Sequence, residues 1–188
     1  AFLGGDLTEH QIELWDVQGN RSIHRGHMHT FAPMAVSPDG IGYVFHADQL
    51  PNGVPGTRVT SFDLATKQPR KSVWVTPGQG NIVPHNGIHS DHRRMAALGG
   101  DRLLMASDDS ERGGGIVIDL NAKPQNKGVP SVLPVSRVPP PQPGFVLRVV
   151  ERFSRTVVTV WEHQKNHRII AIGYDPISLE PRWFVGDA

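Results

Sequence analysis

Apolar residues recur along this chain in short bursts, each closed by a turn rich in Gly, Pro or Asp. Four of the bursts share one pattern: an apolar strand ending in a bulky residue, then an Asp, then a polar turn. They read "IELWDVQGNRS", "VTSFDLATKQPRK", "GIVIDLNAKPQNK" and "IIAIGYDPISLEPRW". The shared acid falls at Asp16, Asp63, Asp119 and Asp175, at spacings of 47, 56 and 56. An Asp at the head of a turn can bond its side chain to a backbone N–H two residues on, which stabilises the reversal. A period of this length holds four short strands and two or three longer loops.

The intervening segments fill in that unit. "RSIHRG" is expected as an outer strand, and "FAPMAVS" as the inner strand that "SPDG" turns into "IGYVFHAD". "TRVTSFDL" and the outer strand "RKSVWVTP" follow. The next unit reads "GIHSDHRRMAAL", "RLLMASDD", "GGIVIDL" and "PSVLPVSR", and the last "GFVLRVVE", "TVVTVWEH", "HRIIAIGYD" and "PRWFVGD". Their Val, Ile, Phe and Trp content with Gly or Pro boundaries is the sequence signature of strands. Similar strands could build a sandwich, but a regular unit of four favours an all-β propeller with four-stranded antiparallel blades. The expected blades span residues 1–26 (partial, opening at "AFLGG"), 27–77, 85–137 and 144–188 of one module.

"MAVSPDGIGYV", a further strand and "FDLATKQ" resemble the blade pattern of YncE-type (YVTN) propellers and of the methylamine dehydrogenase heavy chain. "GYDPISLEPRW" resembles the same strand, Asp-Pro turn and outer strand. The resemblance is to a style of repeat and not to a catalytic motif, so it implies a fold and an extracytoplasmic setting. Methylamine dehydrogenase holds its cofactor in a separate subunit, and none of that chemistry carries over. Propellers of this style have six to eight blades. About four blades therefore imply a piece of a longer chain, a ring completed by a second chain, or an unusual four-bladed ring. Exposed blade edges would otherwise recruit other strands.

Composition narrows the function classes. A chain of 188 residues with 19 basic and 18 acidic residues points to neither nucleic acid nor an anionic membrane as partner. Twenty Gly and 16 Pro suit many short turns and count against a helical bundle. The absence of cysteine excludes disulfides, thiolate catalysis and Cys-based zinc sites. No apolar run has the length of a membrane helix, and "AFLGGDLTEH" lacks the pattern of a signal peptide. No phosphate-cradling glycine loop, dinucleotide fingerprint or nucleophile elbow is present.

The histidines are the candidate chemistry. In a propeller, loops from an outer strand to the next inner strand open on the same end as loops between second and third strands. His27, His29, His85 and His89 fall in the first kind of loop; His46, Asp48, Asp108, Asp109, His163 and His167 fall in the second. Imidazoles interleaved with carboxylates suit zinc or manganese, and the acid-rich "SDDSERGGG" suits calcium, although without EF-hand spacing. The candidate metal set is His29, His89 and His163 with Asp48 and Asp109; His27, His46, His85, Asp108 and His167 are candidates for binding an organic ligand. A bound metal would act as a Lewis acid in a lyase or lactone hydrolase. The plainer reading is that loops are polar whatever they do. "SRVPPPQPG" reads as a stiff connector, and Trp15, Trp74, Trp161 and Trp183 as residues packed between blades. The expected function is a binding module for a small molecule or protein, with two alternatives: a metal-dependent enzyme, or a structural subunit completing a larger propeller.

Overall fold

The computed structural model describes residues 10–16, 21–28, 34–49, 55–66, 68–75, 95–106, 114–124, 132–133 and 135–186; side chains are described at 35–44, 58–66, 68–75, 95–106, 114–124 and 136–186. Among them every regular element is a strand, and no helix is long and apolar enough to cross a membrane. β1 (His10–Asp16) and β2 (Arg21–Met28) form an antiparallel pair. β3 (Met34–Val36), β4 (Ile41–Gln49), β5 (Pro55–Asp63) and β6 (Gln68–Val75) follow as an antiparallel meander.

The next sheet begins with β7 (Met95–Gly99), β8 (Arg102–Ala106) and β9 (Gly115–Asp119). Its outer segment "PSVLPVSR" is expected as a single strand, but it divides between two sheets. β10 (Val132–Leu133) pairs in parallel with β6, whereas β11 (Val135–Val138) pairs antiparallel with β9. The intervening residue is Pro134, which has no N–H to donate to a ladder, so one uninterrupted strand is disfavoured there. The last sheet is β12 (Phe145–Phe153), β13 (Thr156–His163), β14 (Ile169–Tyr174) and β15 (Pro181–Val185), again a consecutive meander.

The sheets stack face on face, and the middle one shows why. In β7, β8 and β9 successive side chains point to opposite faces, as the pleat requires. Met95, Ala97, Leu103, Met105, Ile116 and Ile118 join Ile41, Tyr43, Val59 and Val75 in one core. Ala96, Leu98, Leu104, Ala106 and Val117 face the other way, into a second core with Phe145, Leu147, Val150, Trp161, Ile170 and Ile172. A sheet apolar on both faces must be covered on both, which makes this blade the filling of a stack. The architecture is all-β and propeller-like, with four-stranded antiparallel blades.

The Asp-led turns behave as their sequence implies. Asp63 Oδ1 accepts from the N–H groups of Ala65 and Thr66, both at 2.9 Å. Asp119 Oδ1 accepts from Asn121 N–H at 2.8 Å, and Asp175 Oδ1 from Ile177 and Ser178 at 2.8 and 3.0 Å. Asp16 ends β1, where side chains are not described.

The tryptophans divide. Trp161 is wholly buried between blades, its indole N–H donating to Thr159 Oγ1 at 2.7 Å. Trp74 is half-buried, with the Arg58 guanidinium 5.9 Å from its ring centroid. Trp183 departs from the expectation, because 42% of it is exposed and it packs across its own sheet. Its cross-strand partner is Gly173, where an added Cβ would come within 2.2 Å of the indole. The glycine gives the ring a bed on the backbone, and among the described residues no neighbouring blade covers the pair. Trp15 lies in β1, among the strand residues whose side chains are not described.

Candidate functional site

The described turns lie at the two ends of the stacked blades. At one lies the turn between β13 and β14, which holds His163 and His167. His163 packs edge-on against Phe145, with ring centroids 5.1 Å apart. Its Nδ1 accepts from Asn166 N–H at 3.4 Å. Its Nε2 lies 2.7 Å from where a Cβ at Gly144 would sit. The imidazole is thus held on both sides by the turn and the β12 entry, a structural placement.

His167 has a positive φ of 57°, a conformation that closes the reversal, and its N–H donates to His163 O at 2.9 Å. Its exposed ring meets Glu162 through Nδ1, 2.6 Å from Oε1. The other carboxylate oxygen of Glu162 accepts from Arg148 Nε at 2.7 Å. The imidazole bond and then the guanidinium hold the Glu162 carboxyl below its ordinary value. Glu162 is therefore a fixed anion with a histidine on one side and an arginine on the other.

Of the remaining candidates, His27 lies on β2 opposite Gln11, and His46 and Asp48 lie on β4 opposite Arg58 and Gly56; their side chains are not described. His29, His85, His89, Asp108 and Asp109 lie outside the described residues. Among the described residues no three His, Asp or Glu side chains come together as a metal site.

The opposite end was less visible in the sequence. There the inner turns of three blades converge with the β14–β15 turn on a cleft of about 640 Å³. The β7–β8 reversal at this cleft has Gly100 and Asp101 as its central residues, with φ of 61° and 60°. That left-handed pair matches a tight hairpin turn, and Gly and Asp both tolerate it. Asp101, although charged, is only 7% exposed. Its Oδ1 accepts from Tyr43 Oη at 3.2 Å and from Arg70 Nη1 at 3.1 Å, and its Oδ2 from Lys71 Nζ at 3.0 Å. Lys71 also bonds Asn121 Oδ1, and Asn121 Nδ2 donates to Gly100 O at 3.0 Å. Burial and the Asp101 carboxylate push the Tyr43 hydroxyl far above its ordinary pKa, so it stays a donor. This knot ties β4 and β6 of one blade to the β7–β8 turn of the next. Nothing in the local sequence "LGGDRL" signals it, because the partners are 30 to 58 residues away.

Comparisons with known proteins bear on the fold. No protein-family model matches this chain, and no curated protein matches it significantly. Among solved structures, Kuenenia stuttgartiensis hydrazine synthase is similar over 94% of this chain at 15% identity, with a TM-score of 0.51. The β-propeller domain of the trilobed protease from Pyrococcus furiosus aligns over 84% at 11% identity, with a TM-score of 0.43. This chain spans 43% of the length of either of those chains. At such identities the likeness concerns fold alone, and the stacked four-stranded meanders themselves define the architecture.

Proposed function

We propose that the chain is part of a propeller-type binding module whose blades continue beyond the four sheets described. The observation that supports this is the outer face of the last blade. Ile170, Ile172 and Tyr174 turn inward to the second core, so their strand neighbours turn away from it. By register that outward face carries Val149, Val158, Val160, Ile169, Ala171, Trp183 and Val185. Val149, Val158, Val160 and Ala171 are only partly buried, while Ile169 is 52% and Val185 66% exposed. The equivalent faces within the stack are buried, and this one has the same chemistry with nothing packed on it among the described residues. A further four-stranded blade is the occupant that fits, since it would repeat the contact already made twice in the stack. The resemblance to YncE-type blades agrees with a longer ring.

Recognition in this reading falls on the loop ends, including the end where Glu162 sits between Arg148 and His167. The test is light scattering of the wild-type chain and of a Val160→Lys/Ile169→Lys variant over a range of concentrations. The wild type is expected to associate as concentration rises and the variant to remain monomeric with an unchanged circular-dichroism spectrum. A wild type that stays monomeric and highly soluble at every concentration would remove the reading.

A further inference from the structure

We infer that the cleft at the turn end is a binding site for a small organic anion, a carboxylate or phosphate carried on an apolar body. This goes beyond the proposed ring and does not depend on it. Four arginines line the cleft, namely Arg102, Arg152, Arg155 and Arg182, against two carboxylates, Asp39 and Asp175. Arg102 opens β8 of one blade, whereas Arg152 on β12, Arg155 in the β12–β13 turn and Arg182 on β15 all belong to the last blade, so the stack adds one guanidinium to a group of three.

The way these guanidiniums are held decides the matter. Arg102 Nη1 donates to the carbonyl of Ile177 at 2.7 Å. Arg152 donates through Nη1 to Ala97 O at 2.9 Å and through Nε to Ser154 O at 3.1 Å. Carbonyls fix a guanidinium in place without neutralising it, and each of these side chains keeps some of its five N–H donors in reserve. Arg182 pairs with the Asp175 carboxylate and also donates to Arg155 O at 3.2 Å. The Arg155 guanidinium has no partner among the described residues. Asp175 is committed three ways, to Arg182 and to the N–H groups of Ile177 and Ser178. With four guanidiniums against the carboxylates of Asp39 and Asp175, the cleft keeps an excess of positive charge, and Arg102 and Arg152 hold part of it in fixed positions, which is an arrangement that receives an oxyanion through charge-assisted bonds.

The rest of the lining sets the body of the ligand. Leu98, Pro38, Pro176 and Ile177 give the cleft an apolar wall, and Ile177 is 77% exposed. A volume of about 640 Å³ suits a small molecule rather than a single inorganic ion. A rigid aromatic or aliphatic acid satisfies both parts.

The experiment is calorimetric titration of the 188-residue chain at low salt with benzoate and phenyl phosphate, using benzamide as the uncharged match. Both anions are expected to bind, with affinity falling as sodium chloride is raised. Benzamide is expected to bind at least about tenfold more weakly, the factor that one charge-assisted bond supplies. Arg155→Gln removes no side-chain hydrogen bond or ion pair among the described residues, so its melting temperature should match wild type while anion affinity falls by about tenfold; Arg155→Lys should restore part of it. Equal affinity for benzoate and benzamide would overturn the inference, as would anion binding that is unchanged in Arg155→Gln and in Arg102→Gln. Failure to bind any of the three small probes, with binding instead of a poly-glutamate peptide, would also overturn it in favour of an acidic protein partner.

Discussion

Asp63 and Asp175 illustrate how one residue can report on the acid stability of a fold. Each carboxylate accepts two backbone N–H bonds in its turn, and those bonds hold its pKa below the ordinary aspartate value of 3.8, chiefly through Thr66 for Asp63 and Ser178 for Asp175. A carboxyl whose pKa is lower folded than unfolded stabilises the folded state when charged. That contribution is complete above the unfolded value and is lost as pH falls through the folded one. The melting temperature should therefore be flat near neutrality and decline below about pH 4. Asparagine keeps the accepting oxygen and the turn but cannot be charged, and it cannot pair with Arg182. In Asp63→Asn/Asp175→Asn the melting temperature at neutral pH should be lower and the acid decline shallower. Melting curves from pH 3 to 7 decide it, and an acid limb as steep as that of the wild type would mean that other carboxyls carry the effect.

Asp101 acts at the scale of elements, because its carboxylate joins a hairpin turn to two strands of the preceding blade. The two cations that serve it are each about one-third exposed, with Arg70 at 38% and Lys71 at 33% of the side chain, while Asp101 itself is at 8%. Solvent therefore softens the pairs but does not replace them. Asp101→Asn keeps a residue that tolerates the left-handed turn and removes the charge. It should destabilise by about 1–3 kcal/mol, whereas Tyr43→Phe, which loses one bond among three at that carboxylate, should cost about 1 kcal/mol. Denaturant unfolding of the two variants measures both, and equal small losses would show that the knot is ornamental to stability. The contrast between Asp101 and Asp63 also explains what could be read in advance. A turn cap is local, so the recurring Asp in "FDLATK" and "YDPISL" announces both the turn and its bond. The Asp101 knot depends on the stacking of two sheets, and the arginine cleft on the fold of the last sheet and the approach of Arg102 from its neighbour, and no short stretch encodes either. The strands themselves were legible because alternation and turn residues are local too. Trp183 is expected between blades yet stands 42% exposed, because a large aromatic on a strand looks the same in sequence whether or not another blade covers it. His163 was legible as a loop residue, but its seat against Phe145 and Gly144 depended on the register of β12 with β13.

At the scale of the molecule, the stack gives each blade a different number of covered faces, and stability should follow that count. In stacked repeats the free energy is close to a sum of each unit's own term and its contacts with neighbours. The blade of β7, β8 and β9 is covered on both faces, and Leu103, Leu104 and Met105 are 0%, 0% and 1% exposed. The last blade is covered on one face, and every residue of β15 is exposed. Opening β15 breaks its ladder with β14 and uncovers little that was buried, so it requires only a local fluctuation. Opening β8 exposes two cores at once and requires the whole stack to separate. Amide hydrogen exchange should therefore be slowest in β8, with protection near the global unfolding free energy, and faster by orders of magnitude in β15. If a further blade covers the outer face of β12–β15, exchange measured in that larger assembly should slow at Ile169–Tyr174 and Pro181–Val185 and stay unchanged in β8. Uniform protection of β8 and β15 in the 188-residue chain would mean that the last blade is already covered, and that its apolar face is satisfied within this chain.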